Sequence, residues 1–152
     1  MFTVNSKLLL QCPCSKAIIS GSSKYPKLHG TVSFFKACNG SLVVAEIFDL
    51  PTKNGVFAMH IHNGTDCGGN ADDQFANAGS HLNFLNTQHP FHTGDLPALF
   101  SNNGYAWSAV YTDRFQPEQV KGCPVIIHSA PDDYHTQPSG NSGEKIACGI
   151  IK

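Results

Sequence analysis

Short apolar runs, set off by glycine, proline and polar clusters, recur along the chain, and none keeps a helical period over about 11 residues. Alternating or continuous apolar positions predict strands at Ala17–Ser20, Leu28–Lys36, Leu42–Leu50, Gly55–Asn63, Asp95–Phe100, Tyr105–Thr112, Cys123–His128 and Lys145–Ile150. Lys36-Ala37-Cys38-Asn39-Gly40 carries an Asn-Gly turn signal between the second and third of these, which predicts a hairpin. Eight short strands in one small domain imply an all-β sandwich or flattened barrel. Two stretches break the pattern: Gly64–Gly94, rich in Gly, Asn, Asp and His, and the polar Ser129–Glu144. Loops of that length in a compact domain are usually functional or disordered, and the histidines at their ends favour function.

Composition narrows the class. With 152 residues the chain suits one domain, and 41% apolar against 14% charged residues is a globular balance, not a disordered one. A net charge of −1 offers no electrostatic footprint for nucleic acid or an anionic membrane surface. No apolar run reaches the roughly 18–20 residues of a membrane-spanning helix. Leu8-Leu9-Leu10 falls short of the 7–15 apolar residues of a signal peptide, so the cytoplasm is favoured, with a mature exported form left open. Residues 1–16 read as an N-terminal extension and residues 17–152 as the folded domain.

The histidines change the picture most. His60-Ile61-His62 is an H-x-H on a predicted strand, where the period of two sends both imidazoles to one face and within reach of one ion. His81, His89, His92 and Asp95 follow in a Gly/Asn-rich loop; three imidazoles and one carboxylate complete a closed tetrahedral zinc shell, a structural rather than a catalytic arrangement. Such a site turns metal-binding free energy into folding free energy for its loop. His128 closes the apolar run Pro124-Val125-Ile126-Ile127, and with His60 and His62 makes three imidazoles, ligands suited to copper as well as zinc.

Phe57-Ala58-Met59-His60-Ile61-His62, Asn77-Ala78-Gly79-Ser80-His81-Leu82-Asn83-Phe84, His92-Thr93-Gly94-Asp95-Leu96 and Ile146-Ala147-Cys148-Gly149-Ile150-Ile151 resemble segments of the copper/zinc superoxide dismutases, in the same order and at nearly the same ligand spacings. The resemblance spans roughly Ala17 to Lys152. It implies an eight-stranded flattened Greek-key β-barrel, an immunoglobulin-like sandwich with two long functional loops. It implies copper held by His60, His62, His81 and His128, and zinc held by His81, His89, His92 and Asp95, with His81 as a shared imidazolate. It further implies a Cys67–Cys148 disulfide and a carboxylate, Asp132, linking His60 to His89; adjacent Asp133 competes for that role. The implied activity is dismutation of superoxide to dioxygen and hydrogen peroxide by redox cycling of copper, with His81 supplying a proton. Many relatives are homodimers, and a copper-delivery partner is compatible with the family.

One position departs from the family pattern. Where the family usually places an arginine that fixes the superoxide anion, three residues before the second disulfide cysteine, this chain has Lys145. Lysine keeps the charge and loses the planar fork. Asp132, Asp133 and Glu144 share the second loop with this one cation, a poor electrostatic funnel. These features keep open a second reading, a copper-binding or copper-buffering protein of the same fold with little turnover. Cys12, Cys14, Cys38 and Cys123 match no family role. Cys12-Pro13-Cys14 offers two soft thiolates suited to copper(I), although incidental thiols are the favoured reading. His29 and His135 match no ligand position.

Overall fold

The computed structural model describes residues 12–152. Most of the extension, residues 1–11 with the Leu8-Leu9-Leu10 triplet, lies outside the described residues. Among the described residues nine strands run in chain order: β1 (Ser15–Gly21), β2 (His29–Ala37), β3 (Gly40–Phe48), β4 (Asn54–Phe57), β5 (Met59–Ile61), β6 (Leu99–Asn102), β7 (Ala106–Thr112), β8 (Pro124–His128) and β9 (Lys145–Ile150). Among the described residues the only helical pieces are single 3-10 turns at Ala76–Ala78 and Pro117–Val120. β1 begins at Ser15, which pairs with Phe34, so the sheet takes in the last two residues of the predicted extension.

Seven strands form one antiparallel sheet in the order β5-β8-β9-β1-β2-β3-β7, and β4 pairs with β6. The long sheet curls over a core of Ile19, Phe34, Ile47, Phe57, Leu99 and Phe115, which β4 and β6 help to close, giving a flattened Greek-key barrel. β1 shows the alternation that drives the curl: Ser15, Ala17 and Ile19 are buried while Lys16, Ile18 and Ser20 face outward. The β2–β3 hairpin forms, with Cys38 and Asn39 as its turn and Cys38 at φ +47°. Gly40 already pairs with Ala37, and a Cβ there would collide with the Thr112 carbonyl.

Two predicted strands are cut differently. Gly55–Asn63 divides at Ala58, whose N–H bonds Ala130 O and whose carbonyl accepts from His128 N. The chain thereby leaves β6 and joins β8, two different partners for what reads locally as one apolar run. Asp95–Phe100 yields a strand only from Leu99, because Asp95 belongs to a turn in which its carboxylate accepts from His92 N at 2.9 Å.

β5 and β8 lack a solvent face. Met59, Ile61, Val125 and Ile127 point into the barrel, while Ile126 on the other face packs with Phe75, Ala78 and Cys148. The Cys67–Cys148 disulfide ties the loop after β5 down over that face. β5 is the terminal strand of its sheet, and loop segments cover it: Leu82 N bonds Ile61 O, and Ile61 N bonds Gly94 O.

Candidate metal centre

Alternation along β5 sends His60, and His62 just past its end, to the covered outer face, and isolated bridges set His81 beside His62 and Asp95 beside His60. β8 delivers His128 across a bulge. The register runs Ile127↔Ala147 and then His128↔Lys145, so Ile146 is the extra residue; it stays in the core while Lys145 comes opposite His128. Two donor sets result, each with its ligand atoms within 4.8 Å of one another: His60, His62, His81 and His128, and His81, His89, His92 and Asp95. All seven side chains are buried, and His81 belongs to both sets.

The hydrogen bonds assign the ring nitrogens. Gly79 O can only accept, so His62 Nδ1, 2.9 Å away, carries the proton and Nε2 bears a free lone pair. His128 Nδ1 faces Gly143 O at 3.4 Å in the same sense. His62 Nε2 and His128 Nε2 then lie 3.4 Å apart, two lone pairs with no proton between them. Burial pushes the His62 imidazole down to about 2 and that of His128 to about 3, so neither relieves the contact by protonation near neutrality. His60 is also lowered, burial outweighing its bond to Asp132. Four further buried ring nitrogens lack a hydrogen-bond partner: His60 Nδ1, His81 Nε2, His89 Nδ1 and His92 Nδ1. Inward lone pairs without donors are the arrangement a bound cation satisfies, and imidazole with one carboxylate suits copper and zinc.

Asp132 joins the two sets. Its Oδ2 accepts from His60 Nε2 and its Oδ1 from His89 Nε2, both at 2.8 Å. Burial alone would raise this carboxyl, but the bonds from His60, Tyr134 N and His89 hold it down at about 2. Asp133 is spent on its own loop, accepting from the backbone N–H groups of His135 and Thr136. Gly140, at φ +69°, packs so close that a Cβ would strike Asp132 Oδ1, a requirement no spacing rule reveals. Two other contributors escaped the sequence. Arg114 Nη1 donates to the carbonyls of Pro90, His92 and Asp95 at 3.2, 2.9 and 3.0 Å, holding the loop that carries three donors. Gln137 pairs its amide with the His89 backbone, at 3.1 Å to N and 2.7 Å to O.

Comparison with known proteins agrees with this geometry. The family model described as copper/zinc superoxide dismutase (SODC) matches residues 28–151. The chain belongs to that family. Relatives named Superoxide dismutase [Cu-Zn] include one from Legionella pneumophila, 33% identical over 84% of this chain and 80% of its own length. Another, from Caulobacter vibrioides, is 31% identical over 81% of this chain and 78% of its own. Among solved structures, the Cu/Zn superoxide dismutase from Brucella abortus superposes with a TM-score of 0.79 at 26% identity, covering 91% of this chain and 99% of that one. A point mutant of a SOD-like protein from Bacillus subtilis reaches 0.74 at 27% identity, covering 89% and 95%.

The first donor set opens on a solvent channel of about 940 Å³, lined among others by His62, His81, His128 and Lys145. Lys145 Nζ does not stand free there. It donates to Asp73 Oδ2 at 2.7 Å and to Phe75 O at 3.2 Å. The Asp73 carboxyl lies low because the Lys145 bond, with Phe75 N, outweighs the effect of burial. Lys24, from the β1–β2 connection, is a second cation at the channel and pairs with Glu144 at 3.0 Å. The channel acids are therefore Asp72, Asp73 and Glu144, and Asp133 is not among its lining. Elsewhere, His135 is exposed beside Asp133, and His29 stacks on Phe48 at 5.2 Å. Cys12, Cys14 and Cys38 are exposed free thiols, while Cys123 is half-buried with its thiol pushed up by burial.

Proposed function

We propose that this chain dismutates superoxide with copper held by His60, His62, His81 and His128 and zinc held by His81, His89, His92 and Asp95. The observation that carries the reading is His81: both of its nitrogens face a donor set, Nδ1 lying 2.7 Å from Asp95 Oδ1 and buried Nε2 having no hydrogen-bond partner. Copper held by these residues would supply the one-electron redox chemistry by which one superoxide becomes dioxygen and a second, with two protons, becomes hydrogen peroxide.

The protein does the rest. Gly79 O and Asp132 fix the rings of His62 and His60, so their lone pairs stay aimed inward whichever charge the site carries. The second donor set has no open position, in keeping with a structural ion that orders the Gly64–Gly94 loop. His81 Nε2 is the atom suited to hold a proton for the departing peroxide, because Nδ1 is committed to the other set. Lys145 offers the anionic substrate a hydrogen-bond donor at the inner end of the channel. Metal analysis with a superoxide-decay assay tests the proposal: one copper and one zinc per chain with rapid decay are expected, and a protein that takes zinc and no copper at any loading would overturn it.

A further inference from the structure

The cation at the channel's inner end is neutralised where it stands. Asp73 lies on the disulfide-tethered loop and Lys145 at the start of β9, 72 positions away, yet their charged atoms meet at 2.7 Å. The Lys145 side chain is 16% exposed and that of Asp73 40%, so the carboxylate is the more solvent-accessible partner of the pair. Lysine has three donor hydrogens on a flexible stem and no planar fork. Here Asp73 and Phe75 O take two of them, which pins the ammonium and leaves one hydrogen for an incoming anion. Lys24 repeats the arrangement with Glu144, so both lysines among the channel's lining residues are paired with carboxylates.

We propose that Asp73 is a positioning residue for anion capture: it fixes the Lys145 ammonium beside the first donor set and at the same time cancels most of its long-range pull. Captured anions then feel the lysine at hydrogen-bonding range and little beyond it. This inference rests on the reading of Lys145 as the anion-binding group. It goes beyond that reading by making the carboxylate a determinant of both affinity and rate.

Three variants of the metal-loaded protein separate the two effects, read by azide titration through the visible copper absorption and by superoxide decay across ionic strength. Asp73→Asn keeps an oxygen to accept from Lys145 and loses the charge. It should raise the decay rate and the azide affinity roughly two- to tenfold at low salt, with a rate that now falls as salt rises. At high salt, where the charge effect is screened, Asp73→Asn should match the parent while Asp73→Ala binds azide more weakly, because the ammonium has lost its tether. Lys145→Ala should weaken azide in every condition. Unchanged metal content and melting temperature exclude simple misfolding. If Asp73→Asn leaves the low-salt rate and salt slope at parent values while Lys145→Ala weakens azide, the role of Asp73 is wrong and that of Lys145 stands. If Lys145→Ala leaves azide binding untouched, the lysine reading fails first and this inference with it.

Discussion

At the scale of single residues, the centre works because His60, His62, His89 and His128 each have one ring nitrogen bonded outside the donor sets, to Asp132, Gly79 O, Asp132 and Gly143 O respectively. His81 differs in that Nδ1 meets Asp95 and Nε2 has no partner, so each of its nitrogens faces a different donor set. His81→Ala should therefore reduce both copper and zinc content, whereas His128→Ala should reduce copper and spare zinc, as mass-spectrometric metal analysis will show. Asp132 orients one ligand of each set. Asp132→Ala should weaken binding of both metals by roughly 10–100-fold, measured by competition with a chelator. The buried histidines also set a pH response. His62 and His128 lie far below their ordinary value of 6.5, so between 6.5 and about 3 the unfolded chain binds protons that the native one refuses. Their contribution to the stability of metal-free protein is whole above 6.5 and is lost progressively as pH falls. Urea midpoints of the metal-free protein at pH 7, 5.5 and 4.5 should decline in that order; a flat profile would contradict the burial of neutral imidazoles.

At the scale of elements, a bulge and a clamp do the positioning. The β8–β9 bulge brings Lys145 opposite His128, where regular pairing would have placed Ile146. Alternation is readable from sequence, but a bulge shifts it by one residue and leaves no compositional mark at Lys145-Ile146-Ala147. Arg114, just beyond β7, grips the carbonyls of Pro90, His92 and Asp95, in the loop that carries three members of the second donor set. Arg114→Ala leaves those three carbonyls to water. Zinc should dissociate faster from this variant while copper affinity changes less, a difference that zinc-release kinetics with a chromogenic chelator will reveal.

At the scale of the whole molecule, the disulfide joins a functional loop to the barrel across 81 residues. A cross-link closing a loop of that length stabilises by up to about 4–5 kcal/mol on the chain-entropy account, an upper guide. It also holds down the cover of β5, β8 and β9, and with it Asp73 and Phe75, the partners of Lys145. Cys67→Ser should therefore lower the urea midpoint of metal-free protein and also weaken azide binding by the loaded protein. Loss of stability with azide affinity intact would show that the cover stays in place without the bond.

By itself the sequence determined the donor inventory, the all-β class and most strand positions, because ligand spacing and two-residue alternation are local properties that survive without neighbours. His60 and His62 had to share a face once Gly55–Asn63 was read as extended chain, and the Gly64–Gly94 stretch was too poor in apolar residues to be anything but loop. Tertiary structure decided the partners. Asp132 and Asp133 are adjacent and chemically identical, and the packed second loop, with Gly140 against Asp132 and Asp133 bonded to His135 N and Thr136 N, decides which carboxylate reaches His60 and His89. Asp73, Lys24 and Arg114 carry no motif; each acts on a group distant in the chain. The split of Gly55–Asn63 likewise depends on β6 and β8 competing for one apolar run. Such choices rest on which loop surfaces meet after the barrel has closed, and that is a property of the packed chain rather than of any window along it.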